Sequence, residues 1–197
     1  MKEYWKRFEN WIELHAPFLI DELNPGASQA EIDKFETLIG KKLPKEFVEF
    51  YMIHNGQRKE RGPKYGFIDH EELFSLGVMG EQWSIAKQAL DEKYFEDENG
   101  KIFSLPDKGI KNDWWNPCWI PFVGDFCGHY ICLDLDPSED GFIGQVIEFN
   151  HDNEIRELLA PAFIEWFSNY VRKLESGEMV YSKKWGIVNK DGELNKP

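Results

Sequence analysis

The stretch from 118 to 150 constrains the fold more than any other. Its apolar residues bunch into three short runs, CWIPFV, HYICLDL and FIGQVIEF, separated by Gly-Asp and Pro-Ser-Glu-Asp-Gly and closed by Asn-His-Asp. Short apolar runs bounded by turn residues are strands. A parallel pair needs a crossover of about a dozen residues or more, and these connections are shorter, so the runs form an antiparallel meander. Side chains alternate along a strand. Tyr130, Cys132 and Asp134 therefore share one face of the second run, while Ile131, Leu133 and Leu135 share the other, which is expected to meet the core.

Helices surround this block. Tyr4, Trp5, Phe8, Trp11 and Ile12 recur at spacings of three and four, the period of a helix with one buried face. Ser28 and Glu31 form an S-x-x-E capping box, after which Ile32, Phe35, Leu38 and Ile39 line one face until Gly40. Pro44 stands where a first-turn proline belongs, with Phe47, Phe50, Tyr51 and His54 behind it. QRKERGPKYG, 57 to 66, reads as an exposed loop. A short strand or turn at 73–76 precedes a helix expected from about 80 to 95, with Trp83, Ala86, Leu90 and Tyr94 on one side. Residues 95–113 lack periodicity and read as a long inserted loop. Phe163, Trp166, Phe167, Tyr170, Val171 and Leu174 give a wide apolar stripe on a helix over 161–176 that should lie against the sheet. The tail, 178–197, is polar, and Lys-Asp-Gly at 190–192 permits a final hairpin. The expectation is one α+β domain spanning 1–197, a mainly antiparallel sheet flanked by N-terminal and C-terminal helices. At 197 residues, folding removes roughly 70% of the unfolded surface from water.

Charge narrows the partners. Against 36 acidic residues stand 23 basic ones, for a net charge of −13, and that field repels nucleic acid and anionic membrane while attracting a basic protein. MKEYWKRFENW carries no signal-like apolar run, and no segment approaches a membrane span. Three cysteines, all between 118 and 132, do not make a disulfide framework. A cytoplasmic location is expected.

The segment GDFCGHYICLDLDPSEDG, 124 to 141, raises three kinds of chemistry. Zinc needs four converging ligands, but C-x-H-x-x-C is no finger knuckle, and Cys132 alternates away from Cys127 and His129 on a strand. Asp136, Ser138, Asp140 and Gly141 match positions of a calcium loop, yet the place of its bidentate glutamate falls on Ile147. Turn geometry explains those residues better. Cys127 beside His129 has no orienting partner or oxyanion loop that would make it a nucleophile. Asp134 and Asp136 are two apart, which permits acid-base work, but abundant carboxylates form such pairs by chance. No catalytic residue, metal or cofactor is expected. In WWNPCWIPF, Trp114 is the tryptophan expected to be most exposed, with Trp115 and Trp119 in the core.

Four stretches in order carry a family resemblance: PGASQAEIDKFETLIGKKLPKEFVEFYMIHNGQ at 25–57, WWNPCWIPF at 114–122, GDFCGHYICLDLDP with GFIGQVIEFNHD ending at 152, and LLAPAFIEWFSNYVRKLESGE at 158–178. They resemble the Smi/Knr-like family of the SUKH superfamily. The resemblance implies a curved, mainly antiparallel sheet flanked by helices and no enzymatic activity. Bacterial members of such a family look like immunity proteins that neutralise a polymorphic toxin such as a nuclease, and fungal relatives like scaffolds that regulate cell-wall synthesis. The leading expectation is an immunity protein capturing a basic toxin domain, with Trp114, Asp125, Asp134, Asp136, Glu139, Asp140 and Asp152 as contacts. The alternative is a regulatory scaffold in cell-envelope biogenesis, and a hydrolase using the 125–136 carboxylates comes third.

Overall fold

A computed structural model describes residues 1–58 and 66–191. The loop expected over 57–66 falls mostly outside these residues, as does the last residue of the turn expected at 190–192.

Helix α1 (Lys2–His15) buries Trp5, Phe8, Trp11 and Ile12, and a 3-10 turn (Pro17–Glu22) follows. Helix α2 (Gln29–Ile39) starts on the capping box that its sequence specifies. Ser28 Oγ accepts from the Glu31 amide at 3.3 Å, and Glu31 Oε2 accepts from the Ser28 amide at 2.8 Å. Gly40 ends α2 in the left-handed region at φ +68, a conformation that glycine adopts without steric cost. Helix α3 (Lys45–Tyr51) is capped by Pro44. After strand β1 (Glu72–Leu73) comes α4 (Leu76–Asp91). It begins four residues before the periodicity placed it, because Ser75 caps it by accepting from the Val78 amide at 3.3 Å. Tyr94, expected on its apolar side, lies past its end and is 70% exposed.

The aperiodic segment is built rather than free. It holds a small hairpin of β2 (Glu96–Asp97) and β3 (Gly100–Lys101), then β4 (Leu105–Pro106). The three expected strands are β5 (Trp119–Gly124), β6 (His129–Asp134) and β7 (Gln145–Asn150), followed by β8 (Ile155–Arg156) and β9 (Leu158–Ala160). Strand β4 pairs in parallel with β8: the Leu105 amide donates to Glu154 O at 2.7 Å and the Asp107 amide to Arg156 O at 2.8 Å. Such pairing joins residues about 50 apart in sequence, which local periodicity cannot report.

The main sheet runs β1-β5-β6-β7-β9 with every neighbour antiparallel. Helix α5 (Phe163–Ser176) buries all six residues of its stripe. Phe163 and Trp166 meet Phe122 of β5 with centroids 5.4 and 4.9 Å apart, and Phe47 of α3 meets it at 5.7 Å. Helix α4 reaches the meander through Gln82, whose Oε1 accepts from Tyr130 OH at 2.9 Å. Cys132 and Leu133 point to opposite faces of β6 and both are 0% exposed, so the sheet is covered on both sides there. The expectation that only the Ile131 face meets the core is thereby corrected. The end of the chain is also less polar than its composition implies. Strands β10 (Met179–Ser182) and β11 (Gly186–Asn189) form a hairpin that turns at 183–185. Met179, Ile187 and Val188 anchor it in the interior.

Candidate protein-interaction site

The seven residues expected at a partner interface do not converge. Asp125 sits in the β5–β6 loop, where its Oδ1 accepts from the amides of Cys127 at 2.7 Å and His129 at 3.2 Å. Asp152 is exposed in the β7–β8 loop beside it, the two loops being tied by the His151 amide donating to Gly128 O at 3.0 Å. Asp136, Glu139 and Asp140 lie on the β6–β7 hairpin at the other end of a six-residue strand, about 20 Å away. There the 95–113 segment supplies cations: Lys111 Nζ is 2.7 Å from Asp136 and Lys108 Nζ is 3.3 Å from Asp140. That acidic tip is therefore partly neutralised.

Asp134 is withdrawn from any interface because it is 0% exposed. Its Oδ1 accepts from the Asp136 amide at 2.9 Å and its Oδ2 from Gln145 Nε2 at 2.8 Å. Burial pushes its carboxyl above the ordinary range. The residue holds the base of the hairpin. Trp114 is half-buried, and the guanidinium of Arg156 lies 5.2 Å from its ring on one side and 4.6 Å from Phe149 on the other. Arg156 is 0% exposed and has no carboxylate partner among the described residues. It donates instead to the carbonyls of Asn153 at 2.8 Å, Ile155 at 2.6 Å and Trp114 at 2.7 Å. Desolvation lowers its pKa to about 10.

His129 forms an ion triad that the sequence did not announce. Its Nε2 donates to Glu148 Oε1 at 2.6 Å and its Nδ1 to Glu71 Oε1. Bonding to Glu148 and then to Glu71 outweighs burial and raises the imidazole to about 10, so it is a cation at neutral pH. Glu148 is held below its usual value by the same bond. Glu71 comes from 58 residues away, which is why spacing in the opening motif gave no sign of it. Cys127 is exposed and Cys132 buried, and among the described residues no group of three or more His, Cys, Asp or Glu is placed to hold a metal ion.

A groove lies elsewhere, between α2 and α4. About 420 Å³ in volume, it is lined by Phe35, Leu38 and Leu76, by Gly77 and Gly80, and by Glu31, Lys34, Glu81 and Asn55. Phe35 and Leu76 are buried as its floor, and Leu38 is 47% exposed on its wall. The two glycines keep it open for different reasons. A Cβ at Gly80 would lie 3.0 Å from Leu38 Cδ2, so close helix packing asks for a small residue there. A Cβ at Gly77 would meet only Ser75 Oγ at 3.8 Å, and no left-handed φ is required. Gly77 is exposed in the first turn of α4, just after the Ser75 cap. Asn55, which also lines the groove, accepts from the Leu76 amide through Oδ1 at 2.8 Å. The sequence marks Phe35 and Leu38 as one helix's core stripe and gives no sign of the groove, since α4 was expected too late for its first turns to pack against them.

Residues 26–169 match the model of the SMI1 / KNR4 family (SUKH-1). The chain belongs to that family. Its similarity to individual members extends over most of its length. "KNR4/SMI1 homolog 2" of Debaryomyces hansenii is 29% identical over a match covering 88% of this chain and 35% of that protein. "Cell wall biosynthesis/cell cycle regulator smi1" of Schizosaccharomyces pombe is 28% identical, covering 98% of this chain and 39% of that protein. For "Cell wall assembly regulator SMI1" of Saccharomyces cerevisiae the figures are 24%, 96% and 44%. The chain thus spans about two fifths of the length of the curated relatives it matches. These family members are named as regulators or as homologues of regulators. Among the described residues no helix is long and apolar enough to cross a membrane.

Proposed function

We propose that this chain is a non-catalytic, cytoplasmic protein-binding domain that regulates cell-wall assembly by holding a partner protein. The observation that carries the reading is similarity over 88–98% of the chain to the D. hansenii and S. pombe family members, the second of which is named for cell-wall regulation. An apolar groove with polar rims is the kind of surface a partner segment uses, and the buried Asp134 and Gln145 of the meander bond to each other at 2.8 Å. Neutralisation of a basic toxin ranks second, since its support is the −13 charge and the relatives' names add nothing to it.

The test is a chimera in which this chain replaces the matching region of the Schizosaccharomyces pombe relative, scored for resistance to wall-digesting enzymes. Resistance near wild type is expected. A chimera that is expressed, folded and as sensitive as the deletion strain would overturn the reading.

A further inference from the structure

Strands β4 and β8 leave an apolar row in solvent. Leu105 and Ile155 are directly paired in the parallel register, which puts their side chains on one face, and they are 65% and 53% exposed. Phe103, two residues before Leu105, is 60% exposed while Ser104 between them is buried, so Phe103 continues the row. Large apolar side chains grouped on a surface mark a contact site, whereas scattered ones do not. Another strand cannot pair with this edge. The Leu105 and Asp107 amides are spent on β8, and the position between them, which faces the open edge of β4, is Pro106 with no N–H to give. A partner therefore docks on the face, through side chains.

Beside Ile155 the same face dips into a depression of about 140 Å³ lined by Glu148, Asn150, Asn153, Ile155 and Glu157. A cavity of about 150 Å³ takes up benzene, so this one has room for a single side chain. Its polar lining is not balanced in charge. Asn150 and Asn153 each commit Oδ1 to an amide of the turn, those of Asp152 and Ile155. Glu148 Oε1 is bonded to His129, and Glu148, Glu71 and the His129 cation together still carry −1. Glu157 is exposed, and among the described residues no cation pairs with it, which brings the sum to −2. Arg156, the next residue of β8 after Ile155, is turned to the opposite, buried side between Trp114 and Phe149, with Glu154 in its field. The aspartates of the far hairpin have Lys108 and Lys111, whereas Glu157 has no such counterion among the described residues.

We propose that this face of β4 and β8 binds a basic, amphipathic segment of a partner protein, whose apolar side chains cover Phe103, Leu105 and Ile155 and whose lysine or arginine enters the depression at Glu157. This rests on the protein-binding reading above and gives it a place and a partner chemistry. A lysine or arginine suits both halves of the site, since its methylene stem packs on apolar surface while its head group stays with a carboxylate. The groove between α2 and α4 makes no such choice of charge, because Glu31 is taken up by its cap and Lys34 lines the same groove.

The probe is a random peptide library displayed on phage and selected on the immobilised full chain, after which one enriched peptide is titrated into the 15N-labelled protein. Enriched peptides are expected to combine apolar residues with a lysine or arginine, and the largest amide shifts to fall at 103–105 and 153–157. Leu105→Thr combined with Ile155→Thr keeps strand-forming residues at exposed strand positions, so the thermal midpoint should hold while binding weakens about tenfold or more. Glu157→Gln should weaken binding severalfold and flatten its salt dependence, whereas Glu139→Gln, at the far hairpin, should change neither appreciably. Enriched peptides without a basic residue, shifts centred on Phe35, Leu38 and Gly80, or binding indifferent to these changes at 105, 155 and 157 overturn the proposal and leave the protein-binding reading standing. A library that yields no enriched peptide overturns it too, and the chimera then decides the broader reading by itself.

Discussion

Replacing His129 by glutamine tests the electrostatic account of the sheet end. The imidazolium bonds two carboxylates at once, and one of them, Glu71, is only 6% exposed. A rise from 6.5 to about 10 corresponds to about 5 kcal/mol of preferential proton binding by the folded state. The His129 side chain is 31% exposed and that of Glu148 is 35% exposed, so solvent screening reduces this to about 2–3 kcal/mol. Because the folded pKa is raised, the stabilisation is complete below about pH 6.5 and is lost as pH climbs toward about 10. Glu148, whose pKa is lowered, adds the opposite limb, losing its share as pH falls below its usual range. Urea unfolding of wild type and His129→Gln should therefore differ by about 2–3 kcal/mol near pH 6 and by under about 1 kcal/mol near pH 10. Groups outside the triad titrate alike in both proteins, so the difference isolates His129 with its two carboxylates. A gap that stays constant with pH would refute the reasoning and assign the side chain a packing role. So would an imidazole proton resonance in the wild-type protein that titrates near 6.5.

Three further outcomes follow from the fold. Ser28→Ala removes one half of the α2 capping box and should cost about 1 kcal/mol, read as a lower urea midpoint with unchanged slope. Asp134→Asn keeps the shape but supplies one acceptor where the Asp136 amide and Gln145 Nε2 need two, so it should cost about 1–3 kcal/mol, read as a lower urea midpoint. Arg156→Met removes the guanidinium that lies between Trp114 and Phe149 and leaves the part-buried carbonyls of Trp114, Asn150, Asn153 and Ile155 without its donors. It should lower stability by about 1–3 kcal/mol, and calorimetry would register the fall.

How far the sequence could be read depended on how local the determining interaction was. The capping box at Ser28 and Glu31, the stop at Gly40, the six-residue stripe of α5 and the three strands of the meander are all encoded within a few residues, through spacing and turn chemistry. Trp114 also stood out correctly from its buried neighbours. The start of α4 was missed because a single serine cap overrode a periodicity that is weak at its glycine-rich beginning. Strand β4 was missed because its partner, β8, is about 50 residues further on. Asp134 was taken for a surface contact because strand alternation gives the face of a residue but not whether another layer covers that face.

By itself, then, the sequence determined the α+β class, the order of the helices and the meander, and a strongly acidic surface, since each follows from short-range periodicity or from a sum over the chain. Tertiary structure alone decided the rest. It brought Glu71 to His129 across 58 residues, buried Arg156 among carbonyls instead of carboxylates, and paired the acidic hairpin with Lys108 and Lys111. It also set Gly80 of α4 against Phe35 and Leu38 of α2, beside a groove. Each of these depends on which segments the packed core brings together, and hydrophobic burial is non-directional, so no pattern within one segment names its partner in another.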